Sequence, residues 1–138
     1  MTEYERLMKL KTQISGRATD VGWDYEDVRR PAFSAIITAS RARTLTQEQK
    51  DNMILDYIDL VSFKIKETEM LYGGDFAGQL AKTREVVWNI PAEKTHAQCD
   101  AIRNGRKKDY QGFLLEVSCL AVSDKVKEYA QERLAETE

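Results

Sequence analysis

From Met53 to Tyr72 the chain reads MILDYIDLVSFKIKETEMLY, a stretch with neither proline nor glycine. Its apolar residues recur every three or four positions, the period of a helix. At about 100° per residue, Ile54, Tyr57, Ile58, Val61, Ile65 and Tyr72 share one broad face, with Met53, Leu60 and Leu71 along its edge. Leu55, Phe63 and Met70 fall on the opposite side, among Asn52, Asp59 and Lys66. A helix that is apolar on two sides needs contacts on two sides. Thr46 and Gln49 supply a capping box at its start, and Gly73-Gly74 a stop at its end.

The rest of the chain reads the same way. Thr2 and Glu5 form another capping box, and Tyr4, Leu7, Met8, Lys11 and Ile14 follow at helical spacing up to Gly16. Pro31 suits a first turn, and Ala32, Phe33, Ala35, Ile36, Ile37 and Ala39 make a short helix ending near Arg41 and Arg43. Asp75 opens a helix carrying Phe76, Leu80 and Val87 that runs out at Trp88-Asn89-Ile90-Pro91. A helix over 92–104 ends at Gly105. The last segment, over 106–134, again shows two stripes. Tyr110, Phe113, Leu114, Val117 and Ala121 form one; Leu115, Cys119, Val122, Val126 and Tyr129 form the other. No stretch alternates with period two. The expectation is an all-α bundle of about six helices in a single domain over 1–138, with 46–72 and 106–134 as two long central helices.

Composition narrows the function classes. Hydrophobic residues at 42% and charged residues at 32% describe a chain able to bury a core beneath a charged surface. The net charge of −2 is that of neither a polycationic nucleic-acid binder nor an acidic mimic. The opening residues MTEYERLMKLK hold no apolar run, and Cys99 and Cys119 are the only cysteines, so the expected setting is cytoplasmic, with both thiols free.

The stretch DVGWDYEDVRRPAF, residues 20–33, is the most unusual local sequence. Asp24 and Asp27 are spaced to cap a single turn, YEDVRR, which Pro31 then terminates. Trp23 and Tyr25 either pack over the core as a lid or join Arg29 and Arg30 as a contact for a protein partner, since Trp, Tyr and Arg dominate such interfaces. Asp20, Asp24, Glu26 and Asp27 lack the alternating ligand positions and turn glycine of a calcium loop.

Other constellations are weaker. His96 and Cys99 share a helix face, but a zinc site needs Cys119 and a carboxylate, Glu93 or Asp100, to join them. A Cys–His nucleophile pair would need a positive field and an orienting third group, and neither is evident. Asp56 and Asp59, three apart on the long helix, are spaced to share a magnesium ion as in helical nucleotide pyrophosphohydrolases, with Asp124 and Glu128 the best acidic residues on a facing helix. The basic knot of Arg103, Arg106, Lys107 and Lys108 lies beside Tyr110 and Phe113, the pairing used for single-stranded nucleic acid, and is expected at an interhelical turn. No phosphate-cradling glycine loop, Gly-x-Ser-x-Gly elbow or His-Glu-x-x-His helix occurs.

These readings converge on a non-catalytic protein-interaction module that binds a protein partner or a second copy of itself. No catalytic residue, metal ligand or cofactor is expected. The candidate contacts are Trp23, Tyr25, Arg29 and Arg30 in one patch and Leu55, Phe63 and Met70 in another. A magnesium-dependent nucleotide hydrolase using Asp56 and Asp59 is the alternative from the enzyme class, and weak nucleic-acid binding through the basic knot is a third.

Overall fold

The structure, a computed structural model, describes residues 1–72 and 96–137. Among these residues the regular elements are five helices and no strand: α1 (Glu3–Ala18), α2 (Tyr25–Arg41), α3 (Gln47–Tyr72), α4 (His96–Cys119) and α5 (Asp124–Glu136). The helix expected from Asp75 to Ile90, the Gly73-Gly74 stop and Glu93 lie outside the described residues, as does the side chain of His96. None of the described helices is long and apolar enough to cross a membrane.

The long run is one helix, opened by the expected box. Thr46 Oγ1 accepts from the Gln49 N–H at 3.1 Å, and Gln49 Oε1 accepts from the Thr46 N–H at 2.9 Å. Alone among the described helices, α3 touches the other four, so its apolar residues meet neighbours around most of its circumference. Tyr57, Ile58 and Val61 are fully buried against Leu7 and Ile14 of α1, Val28 and Ile36 of α2, Phe113 and Val117 of α4, and Val126 of α5, all within one core. The inward side of α2 is lined by Ala32, Ala35 and Ala39, whose small side chains let its backbone run close to α3.

The start of α2 is a double cap. Asp24 Oδ1 accepts from the Tyr25 N–H at 2.7 Å, and Asp27 Oδ2 accepts from the Asp24 N–H at 3.0 Å. The second oxygen of Asp24 takes the Arg106 guanidinium, so one carboxylate starts α2 and fastens it to α4. Replacing Asp24 by alanine removes the cap and a partly exposed ion pair and is expected to cost about 2 kcal/mol; Asp24→Asn keeps the cap and costs about half that. Urea denaturation of the two variants separates the roles: no loss for Asp24→Asn would show that Arg106 contributes nothing, and equal losses that the cap contributes nothing.

Pro31 does not end a turn, contrary to expectation: α2 continues through it. A proline inside a helix leaves the carbonyl four residues earlier without its N–H donor, here that of Asp27. The Arg17 guanidinium from α1 donates to that oxygen at 3.2 Å. A tertiary contact thus takes the place of the missing backbone bond, and the packing of α2 on α3 carries the helix past a strong local breaker.

The second long rod is also corrected. Instead of one helix over 106–134, α4 ends at Cys119 and α5 begins after a Ser123 cap whose Oγ accepts from the Val126 N–H at 3.3 Å. The same hydroxyl donates to buried Asp51 at 2.8 Å, and Asp51 also accepts from Gln47 at 2.9 Å, so the break is anchored to the first turns of α3. Nor does Gly105 end a helix. It lies within α4, where an added Cβ would meet nothing within 4 Å. One exposed glycine costs a helix at most about 1 kcal/mol, too little to break one packed on α3 and α5.

Candidate functional site

The 20–33 stretch resolves into residues that build the fold and residues left at the surface. Tyr25 and Val28 point inward and are fully buried. Burial, followed by the neighbouring Asp109 carboxylate, pushes the Tyr25 phenol far above its usual range. Arg29 pairs with Asp109 at 3.2 Å and lies over the Phe33 and Phe113 rings at 5.4 and 6.0 Å. Burial closes Tyr25 off from direct contact with a partner, and Arg29 is already engaged by Asp109 and two rings. Trp23 is 40% exposed with the Arg17 guanidinium 4.6 Å from its ring centre, so it is a half-open ring and not a closed lid. Arg30 is exposed and pairs along its own helix with Glu26 at 3.3 Å. The four carboxylates of the stretch also have separate tasks. Asp20 accepts from the Gly22 N–H at 2.8 Å, Asp24 and Asp27 cap α2, and Glu26 holds Arg30.

The loop before α2 is organised by a residue that the sequence reading passed over. Lys64 is 1% exposed, and its ammonium donates to the carbonyls of Arg17 at 3.3 Å and Asp20 at 2.9 Å while pairing with Glu67 at 2.9 Å. A cation suits the carbonyl end of α1, where the helix dipole is negative. The signal was present: Lys64 sits on the buried face of α3 with Tyr57, Val61 and Thr68.

Asp56 and Asp59 do not converge on a common point. Asp56 pairs with Lys11 of α1 at 2.9 Å, while Asp59 accepts from the Tyr129 hydroxyl and lies 3.7 Å from Arg133 of α5. Both line a cleft of about 400 Å³ with Lys11, Thr12, Ser15 and Leu60, and each is held by a cation of a different helix. Asp124 and Glu128 are exposed on α5. Among the described residues no group of three or more His, Cys, Asp and Glu side chains is placed to hold a metal. Cys99 is buried, whereas Cys119 is exposed at the far end of the same helix and not on a neighbouring one, about 30 Å away at 1.5 Å per residue. One zinc ion cannot take both.

The basic knot lies on α4 and not at a turn. Arg103 pairs with Asp100 at 3.1 Å and reaches Glu69 at 3.6 Å. Arg106 pairs with Asp24 and sits 5.4 Å from the Tyr72 ring centre. Tyr110 and Phe113 are buried and stacked on each other, so no ring is presented for a base. Lys107 and Lys108 are the knot's cations without an ion pair among the described residues. Two cations give little phosphate affinity.

What remains open is a strip along α3. Phe63 is 50% exposed and Met70 61%, with Leu55 half-buried one turn beyond Asp59. Exposed Asn52, Asp59 and Lys66 complete this side of the helix. Tyr4 on α1 and Leu115 on α4 are further exposed apolar side chains that were not singled out as contacts; Leu115 belonged to a stripe that α4 turns outward. Compared with family models, curated proteins and solved structures, the chain matches none.

Proposed function

We propose that this chain acts by binding protein, through the solvent-facing strip of α3. The supporting observation is Phe63 and Met70, two turns apart on one side of the helix that otherwise supplies the core. Burying a Phe or Met side chain contributes roughly 1.5–3 kcal/mol, and half or more of that is left unused at each position. Scattered single apolar residues would need no explanation, but here they line up with Leu55 on one helix side. Trp23 and Arg30 are the residues of the other patch that still face solvent. The paired, diverging carboxylates of α3 and the ion-paired arginines of α4 favour neither hydrolysis nor nucleic-acid binding.

The test replaces Phe63 with a benzophenone-bearing phenylalanine analogue and irradiates the protein both in the cells that produce it and after purification. A discrete protein adduct, missing when the analogue stands at exposed Gln131 of α5, is the expected result. Labelling at Phe63 no greater than at Gln131 would overturn the reading.

A further inference from the structure

We propose that the partner is a second copy of this chain, paired with the first in antiparallel register along α3; the inference rests on the protein-binding reading above and names its occupant. The order of residues on the open strip is self-complementary. Read from the N-terminal end, it runs Leu55, Asp59, Phe63, Lys66, Met70: apolar, acidic, aromatic, basic, apolar. All lie on the outward side of α3, with Leu55 half-buried and the other four exposed.

A two-fold axis crossing α3 between Ser62 and Phe63 maps this strip onto itself. Asp59 and Lys66 lie equally far from that axis, so Asp59 of one copy meets Lys66 of the other, and the same contact repeats by symmetry. Leu55 and Met70 are likewise equidistant and cover each other at both ends. The two Phe63 rings flank the axis, where each fills space beside the other. An isologous contact needs a self-complementary patch of this kind, and it closes at two copies. Parallel register would instead place Asp59 on Asp59 and Lys66 on Lys66, which like-charge repulsion disfavours.

The charges are available for this role. Lys66 is exposed and has no ion pair among the described residues. Asp59 keeps half of its side chain open although it also holds Tyr129 and Arg133. Leu55 to Met70 spans about 22 Å at 1.5 Å per residue, so the seam is short. A single helix pair of that length buries less than the roughly 1,200 Å² of a standard stable interface, and the dimer is accordingly a weak one that forms and dissociates with concentration.

Light scattering or sedimentation over a concentration series should show the mean mass rising from that of one chain toward that of two. Lys66→Asp sets like charges opposite each other at both symmetric contacts. It leaves no internal partner bereft, and should weaken association roughly 10- to 30-fold. Asp59→Lys alone should do the same. An equimolar mixture of the two variants should regain the dimer, because each mixed contact is again Asp against Lys. Should Asp59→Lys disturb the fold through Tyr129 and Arg133, the register is read instead from Leu55→Cys/Met70→Cys in a Cys119→Ser background. Antiparallel pairing makes that double variant cross-link as a covalent dimer on oxidation and leaves each single variant monomeric.

The Phe63 analogue adds a mass readout: in purified protein its adduct should weigh twice the chain. A mass that stays monomeric at every concentration, or single cysteine variants that cross-link as readily as the double one, would overturn the pairing. In that event an adduct of some other mass, captured in cells, would leave the protein-binding reading standing, and no adduct anywhere would remove both.

Discussion

Lys64→Ala is expected to destabilise the protein by about 3–4 kcal/mol, and Lys64→Met by about 2 kcal/mol. The ammonium of this buried side chain answers two backbone carbonyls, of Arg17 and Asp20, together with the Glu67 carboxylate. Its removal leaves the end of α1 and the following loop without their donor, at roughly 1–3 kcal/mol for each polar group stranded away from water. Glu67 remains partly exposed and regains hydration, which holds the total below a simple sum. Methionine retains an apolar stem of similar length and loses only the charge, whereas alanine also opens a cavity. The difference between the variants therefore measures packing, and the methionine value measures the clamp. Urea denaturation monitored by helical circular dichroism gives both numbers, and Trp23 fluorescence should change with the loop. Losses below about 1 kcal/mol for both variants would mean that Lys64 does not hold α1 to α3.

The same residue marks how far the sequence could be read. Helix starts were legible where capping is local: Thr2, Asp24 with Asp27, and Thr46 with Gln49 all accept the N–H groups that their spacing implies. The buried face of α3 was legible because 3.6-residue periodicity sorts Ile54, Tyr57 and Val61 without knowledge of their neighbours. Local punctuation failed where a distant group overrode it. Pro31 reads as a terminator until Arg17 is seen to serve the Asp27 carbonyl, and Gly105 reads as a stop because the packing that carries α4 past it is tertiary. The break at Ser123 was hidden by apolar stripes that continue across it, while its anchor is Asp51, far away in sequence.

Candidate contacts divided for a related reason. Residue type identifies side chains able to bind a partner, but exposure decides which are available. Arg29 and Tyr25 have the chemistry of contact residues, but Asp109, Phe33 and Phe113 already engage them. Phe63 and Met70 stand out by falling on the wrong side of an amphipathic pattern. A place on the polar side of a helix implies exposure, and both residues do face solvent.

The largest pH effect is expected on the alkaline side. Burial pushes the Tyr57 phenol up to about 12, with the nearby Asp56 carboxylate adding to it, and burial likewise pushes Tyr72 up to about 12 despite the opposing charge of Arg106. Tyr110 is raised in the same direction by burial. The Tyr57 hydroxyl donates to the Leu7 carbonyl at 2.6 Å, and Tyr110 shares a hydrogen with Ser62 at 2.5 Å, bonds in which a protonated phenol can serve as donor. A folded-state value above the ordinary 10 means that the unfolded chain releases its proton first as the pH rises. The stabilisation from these phenols is therefore complete below pH 10 and is lost as the pH climbs from 10 to about 12. At 1.36 kcal/mol per unit, Tyr57 and Tyr72 withdraw roughly 2–3 kcal/mol each. Their sum is a large part of the 5–15 kcal/mol that holds a domain together. The protein should stay helical up to about pH 10 and lose stability steeply between pH 10 and about 12, with the buried phenolate absorbance appearing only in step with any loss of helical signal. Tyr57→Phe, which gives up the Leu7 bond at a neutral-pH cost of about 1 kcal/mol, should flatten the fall in stability over this window, because one proton fewer is linked to unfolding. Phenolate absorbance from these tyrosines rising near pH 10 while the helices stay intact would show that burial does not hold their protons.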